Sequence, residues 1–240
     1  MALGTPASIC SHIPVSFSIS GVGDFNGDGV SDVLWTNASG GNVQTDIWEL
    51  APGGNWMASV QPGPHPGGYD VAGVGNFTGS GTDGILWFDP TTGNVDEWVI
   101  QNGAWAGSIN LLSHPGTGWN IAGVGDFNGD GVTDILWTNS TGSNVQTDIW
   151  ELAPGGHWMA SVQASHPGGF SVVGVGDFNG DGTSDILWQN TSTGQVDEWT
   201  MKNGQWAGST NLGIHPGNFS LVGTGDFLGN GTSDVLWHQA

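Results

Sequence analysis

Positive charge is almost missing from this chain of 240 residues. Lys and Arg together number one, Lys202, against 22 Asp and Glu, for a formal net charge of −21. Such a chain repels phosphate backbones and anionic lipid headgroups, so neither nucleic acid nor a membrane surface is an expected partner. Cysteine is nearly missing too. Cys10 stands alone, which rules out an intrachain disulfide and leaves the redox compartment open. No apolar run approaches the roughly 20 residues of a membrane-spanning helix, so no membrane insertion is expected. The first 20 residues lack the basic start and apolar stretch of a signal peptide. Helical periodicity is absent from every segment.

Glycine and tryptophan are abundant instead, at 44 and 14 residues. A phrase G-x-G-[DN]-F recurs with its Phe at 25, 77, 127, 178 and 227. The period is close to 50 residues, which points to a propeller or a solenoid. Repeats one and three share "NVQTDIWELAPGG"; repeats two and four share "VDEW" and "WAGS". The chain therefore reads as a duplicated pair of repeats. Each repeat offers four short β segments, here called A to D, with Gly, Asn, Ser and Pro between them. In the fourth they are 170–178, 184–190, 196–201 and 206–212. Four strands per 50 residues is the pattern of a propeller blade. The expected fold is all-β: a single β-propeller domain over 1–240 with five blades and strand A innermost. The repeat units are about 21–72, 73–122, 123–173, 174–222, and 223–240 joined by 1–20. In this reading "GTPASIC" near the N-terminus supplies the outer strand of the last blade, beside residues 233–238. The alternative is a segment of a larger ring.

The loop after each Phe carries the chemistry. In "DFNGDGVSD" (24–32), oxygen-bearing side chains fall at positions one, three, five and nine: Asp24, Asn26, Asp28 and Asp32. Val30 at position seven can offer its carbonyl, and Gly29 permits a sharp turn. Alternating oxygens on a curling chain suit a hard cation, as in an EF-hand loop. An EF-hand also needs a Glu at position twelve and a following helix; here Trp35 and a strand follow. The pattern repeats as Asp126, Asn128, Asp130, Val132, Asp134 and as Asp177, Asn179, Asp181, Thr183, Asp185. Two copies are degraded. One has Asn76, Thr78, Ser80 and Gly84. The other keeps Asp226, Asn230 and Asp234 but places Leu228 at position three. The intact loops resemble the calcium loop of FG-GAP repeats, also called VCBS repeats, with the pattern D-x-[DN]-x-[DN]-G-x-x-D. The resemblance implies a propeller like that of the integrin α-subunit, with Ca2+ held by these three loops between strands A and B. The competing reading of all five copies is a tight turn rich in Asx and Gly.

Thirteen of the fourteen Trp are periodic. Strand B carries Trp35, Trp87, Trp137, Trp188 and Trp237, which read as filling between packed blades. Strand C alternates Asp and Trp: Asp46/Trp48, Asp96/Trp98, Asp148/Trp150 and Asp197/Trp199. Residues two apart on a strand share a face. An indole can stack on a pyranose while the carboxylate accepts its hydroxyls; equally, the Asp can cap backbone while the Trp packs. Strand D opens with Trp56, Trp105, Trp158 and Trp206. The linkers begin His65-Pro, His114-Pro, His166-Pro and His215-Pro. These histidines either donate to a ligand or fix the turn, and their spacing matches no zinc motif.

Three functions follow from these features. FG-GAP propellers are similar to fungal propeller lectins that bind N-acetylglucosamine between consecutive repeats and hold calcium. That resemblance implies a secreted or cell-surface, calcium-binding, multivalent lectin for glycans. The alternative is a calcium-stabilised adhesion or protein-interaction domain. An enzyme is not expected, because catalysis needs residues in different roles, and almost everything here is repeated.

Overall fold

The computed structural model describes residues 16–114, 116–215 and 219–239. Its regular structure among these is β throughout, and no helix is long and apolar enough to cross a membrane. The first sheet contains β1 (Ser18–Gly23), β2 (Asp32–Ser39), β3 (Asn42–Ala51) and β4 (Asn55–Val60), in that order. A two-residue β5 (His65–Pro66) extends it by pairing with β3. The second sheet is β6 (Asp70–Gly75), β7 (Gly84–Phe88), β8 (Asn94–Gln101) and β9 (Ala104–Ser113). The third is β10 (Asn120–Gly125), β11 (Asp134–Asn139), β12 (Asn144–Ala153) and β13 (His157–Pro167). The fourth is β14 (Phe170–Gly176), β15 (Asp185–Asn190), β16 (Gln195–Lys202) and β17 (Gln205–Ile214). A two-stranded sheet, β18 (Phe219–Gly225) with β19 (Asp234–Gln239), closes the series.

Every sheet is an antiparallel meander, because each connection is a short polar turn that can only return the chain beside itself. Strand A has a register shift at the same place in each copy, between Ile19 and Gly21, Val71 and Gly73, Ile121 and Gly123, Val172 and Gly174, and Leu221 and Gly223. A bulge there bends the strand.

The contacts cluster in two compact units. One runs to Asn76 and adds Ser80–Ser113; the other holds Phe77–Gly79 and the chain from His114 onward. Within the first, β1 lies against β6; within the second, β10 lies against β14 and β14 against β18. Strand A facing strand A of the next sheet is the blade arrangement of a β-propeller. The two cores match position by position. Phe25, Leu34, Val43, Ile47, Ile85, Trp87, Trp98 and Ile100 fill one. Phe127, Leu136, Val145, Ile149, Ile186, Trp188, Trp199 and Met201 fill the other.

The blade count is corrected by the structure. Four sheets are complete, where the repeat count predicts five, because the fifth repeat contributes strands A and B alone among the described residues. The expected closing strand "GTPASIC" lies outside the described residues.

Candidate functional site

Each acidic loop joins strand A to strand B and folds around its own first residue. Asp24 Oδ1 accepts the backbone N–H of Gly27 at 2.7 Å and of Asp28 at 3.1 Å, while Oδ2 accepts that of Gly29 at 2.8 Å. Asn26 Oδ1 accepts from Asp28 N–H, and Asp28 Oδ1 from Val30 N–H. Asp126 and Asp177 hold the same three donors in their loops. Gly27 and Gly29 both sit at φ 81°, a left-handed conformation that side-chain-bearing residues adopt rarely.

Position nine does something different. Asp32, Asp134 and Asp185 are buried at the start of strand B. Asp134 Oδ2 accepts Phe127 N–H at 3.0 Å and Oδ1 accepts Leu152 N–H at 2.9 Å. Asp32 bridges Phe25 and Leu50, and Asp185 bridges Phe178 and Met201. One carboxylate thus ties loop to strand C. Burial raises the Asp134 carboxyl to about 7, against the pull of its two N–H donors, and the charges of Asp130 and Asp126 add to the rise. Asp185 is raised to about 6, and Asp32 is raised, again chiefly by burial.

These donors fit a hard cation by kind, being carboxylate, amide and carbonyl oxygens. They do not gather around one point: among the described residues no group of three or more His, Cys, Asp or Glu is placed to hold a metal ion. The reason lies in the bonds just described, since position nine is held by the sheet and position one by the loop backbone.

Both degraded loops keep the turn; the second copy has no carboxylate at a ligand position, and the fifth retains Asp226 and Asp234. Asn76 Oδ1 accepts Gly81 N–H, Ser80 and Thr82 share a hydroxyl contact, and Gly84 replaces the bridging Asp. Gly79 and Gly81 remain left-handed, at φ 67° and 86°. In the fifth copy Asp226 still accepts Asn230 and Gly231 N–H, while Leu228 N–H reaches Asp234.

The linker histidines point into the following sheet. His65 Nε2 lies 3.2 Å from Asp96 Oδ2, and its ring stacks on Trp87 at 4.3 Å. His114 Nε2 lies 2.9 Å from Asp148 Oδ2, between Trp119 and Trp150. His166 stacks on Trp188 and lies 3.8 Å from Asp197. His215 stacks on Trp237. Each of His65, His114 and His166 is buried, and burial lowers the His166 pKa. In the first sheet Trp48 Nε1 donates to Asp46 Oδ2, and Ser59 donates to Oδ1. Trp48, Trp98, Trp150 and Trp199 are buried, as are Asp46 and Asp148, while Asp96 and Asp197 are half-buried. These residues occupy one another's polar groups and form a latch between linker and sheet.

Residues 126–188 match the FG-GAP-like repeat family, and residues 17–48 match the FG-GAP repeat family. Both stretches are similar to FG-GAP repeats. The matched stretches contain all three intact acidic loops and neither degraded one. Together with the sheet arrangement they support an FG-GAP β-propeller. No curated protein matches the chain.

The exposed aromatic surface of the four complete sheets is on strand D. Trp56, Trp105, Trp158 and Trp206 are each between 40 and 56 % exposed. Trp206 borders a cavity of about 230 Å³ within the second unit, lined also by Gln163, Gln205, Trp199 and Ile149. Sequence reasoning singled out strand C, and the alternation of Asp with Trp was a true signal of a shared face but not of exposure. The strand-D indoles were visible as periodic residues; nothing local distinguished them from the buried ones.

Proposed function

We propose that this chain is a non-enzymatic, multivalent glycan-binding propeller whose three intact loops take calcium. FG-GAP repeats build propeller domains often used for adhesion or protein interaction, and glycan binding is a specific form of that use. The observation that carries it is one half-exposed indole at the same place in each of four sheets. An indole face stacks on the apolar face of a sugar, and the amides of Gln163 and Gln205 beside Trp206 suit its hydroxyls. N-acetylglucosamine-containing glycans are the first ligands to test, on a secreted or cell-surface protein.

Calcium is supported by the contrast between loops. The turn at 76–84 forms without any carboxylate at a ligand position, so Asp24, Asp28 and their equivalents exceed what the turn requires. Asp24, Asn26, Asp28, the Val30 carbonyl and Asp32 would hold the ion in the first loop. Asp126, Asn128, Asp130, Val132 and Asp134 would do so in the third, and Asp177, Asn179, Asp181, Thr183 and Asp185 in the fourth. Calcium would supply the positive charge that a chain with one Lys and no other fixed cation lacks.

The second reading is adhesion to a protein partner. It is favoured by Met57 and Met159, which are exposed beside Trp56 and Trp158 and widen an apolar contact surface there. A glycan array run in calcium and in chelator separates the two. Signal that disappears in a Trp105→Ala/Trp206→Ala double variant establishes the glycan site on strand D. A silent array overturns the glycan reading and leaves protein adhesion.

A further inference from the structure

Repeats one and three carry a glutamate that repeats two and four lack. Glu49 and Glu151 follow the strand-C indoles Trp48 and Trp150, where Trp98 and Trp199 are followed by Val99 and Thr200. Each glutamate is only 8 % exposed. Each lies on the strand face opposite its own Trp, the face of Ile47 or Ile149. That face packs on the next sheet of the same unit. Ile47 shares a core with Ile85, Trp98 and Ile100, and Ile149 shares one with Ile186, Trp199 and Met201. The carboxylate ends against the turn between strands C and D of that next sheet. A Cβ at Gly103 would collide with Glu49 Oε1, and one at Gly204 with Glu151 Oε1. Among the described residues neither glutamate side chain makes a hydrogen bond or an ion pair.

Two residues beyond each of these glycines stands a half-exposed indole, Trp105 or Trp206. Trp105 lies 6.2 Å from Trp98, ring centre to ring centre, with the planes at 62°. Trp206 and Trp199 repeat this at 6.1 Å and 59°. In the second unit the cavity of about 230 Å³ lies between Ile149 and Val162 on one sheet and Trp199 and Trp206 on the next. In the first unit Val60, the counterpart of Val162, comes within 3.4 Å of the Gly103 Cβ position that Glu49 occupies. The valine thus ties the buried carboxylate to the wall of the indole site.

We infer that each unit binds a glycan carrying a free amino group, whose ammonium donates to Glu49 or Glu151 while its ring lies on Trp105 or Trp206. This rests on the glycan reading above and names the class of sugar. A carboxylate taken out of water without a partner is costly. The chain offers it almost no cation: its one Lys or Arg is Lys202, so the first unit has none. A ligand ammonium supplies a charge-assisted hydrogen bond to the carboxylate and is attracted to the face of an indole. A neutral sugar leaves the carboxylate unpaired, and an acidic one is repelled by a net charge of −21. The carboxylate comes from repeats one and three, and the paired indoles come from two and four. Two repeats therefore build one site, and the chain holds two.

Titration calorimetry on the full chain in excess calcium tests this. The probes are a glucosamine tetramer and its N-acetylated counterpart, at about pH 6, where free amines are charged. The free-amine tetramer is expected to fill two sites per chain at least about tenfold more tightly than the acetylated one, and to weaken with salt. Glu49→Gln/Glu151→Gln removes that preference and leaves both the binding of the acetylated tetramer and the calcium count unchanged. Glu151→Gln alone leaves one tight site, which keeps the test readable if the double variant folds poorly. Equal affinity for the two tetramers, or no binding of either, overturns the inference; the glycan reading itself falls only if the array is silent as well. A preference that survives in Glu49→Gln/Glu151→Gln overturns it too, because the net charge of the chain then suffices. So does a calcium count that falls by two in that variant, because the glutamates then serve the ions.

Discussion

The second and fourth sheets are equivalent members of a duplicated pair, yet their loops have diverged. In the fourth, Asp185 bridges Phe178 N–H and Met201 N–H. In the second, Gly84 stands at that place. The seventh-position threonine behaves alike in both: Thr183 Oγ1 donates to the Met201 carbonyl at 3.0 Å, and Thr82 Oγ1 to the Ile100 carbonyl at 2.8 Å. A buried carboxyl remains beside Gly84, but strand C supplies it. Glu97 is almost fully buried, with Oε1 3.5 Å from where a Gly84 Cβ would lie. Among the described residues its Oε2 has no hydrogen-bond partner, and burial raises its pKa to about 7. Glu198, its counterpart, is less buried and adds its charge to that around Asp185. The comparison separates two jobs that one motif combines. Glycine spacing makes the turn, and the ninth-position Asp anchors it to strand C.

The sharpest way to break the comparison is to remove the anchor. Asp185→Ala leaves the Phe178 and Met201 N–H groups without their acceptor, and a buried donor stripped of its partner costs about 1–3 kcal/mol. Denaturant unfolding of this variant is expected to show a loss of about 2–5 kcal/mol. A loss under 1 kcal/mol removes the anchoring role.

Taken per site, calcium comes next in size. Ion binding to the folded chain stabilises it by mass action, by about 2.7 kcal/mol per site at a hundredfold excess over Kd. Melting in calcium should exceed melting in chelator, and titration calorimetry should count three ions. Asp181→Ala should reduce the count to two, while Ser80→Ala in the degraded loop leaves it at three. An unchanged melting point with and without calcium refutes the metal reading of all three loops.

A smaller effect is expected on pH. Asp134, Asp185 and Glu97 have native pKa values raised above those of the unfolded chain. The native state therefore binds more protons between pH 4 and 7, and its stability falls as pH rises through that window. In chelator, melting at pH 5 should exceed melting at pH 8. Calcium should flatten the share due to Asp134 and Asp185 but not that due to Glu97, which Glu97→Gln removes instead. A chelated protein with equal melting at both pH values contradicts this assignment.

The smallest effect on stability belongs to strand D. Trp105→Ala and Trp206→Ala remove half-exposed rings and should cost less than about 2 kcal/mol, below the 3–5 kcal/mol of a core Trp→Ala. Trp98→Ala and Trp199→Ala, one strand inward, should reach the core figure. Equal costs for both pairs erase the distinction between latch and surface.

Much of this was legible in the residues. The period of about 50, the four strands of each repeat and the acidic loop between strands A and B are local properties. Turn glycines dictate left-handed backbone wherever they stand, and alternation marks which residues share a strand face. The fourth sheet's strands fall within a few residues of their expected places. The exposure of individual side chains was not legible, because burial depends on what another repeat brings. Asp24 and Asp32 are the same residue eight positions apart, and only the meeting with Leu50 on strand C makes one of them an anchor. His65 finds Asp96 thirty-one residues away, which no local pattern encodes. Thirteen periodic indoles look alike in the sequence; in the four complete sheets the order A-B-C-D places those of strands B and C inside and leaves those of strand D half in solvent, while Trp237 of the two-stranded sheet is only partly buried. Dihedral preference and spacing act within a few residues and so determined the repeat and its turns. Burial is settled across repeats, so the tertiary structure alone decided which carboxylates, histidines and tryptophans were left to face a ligand.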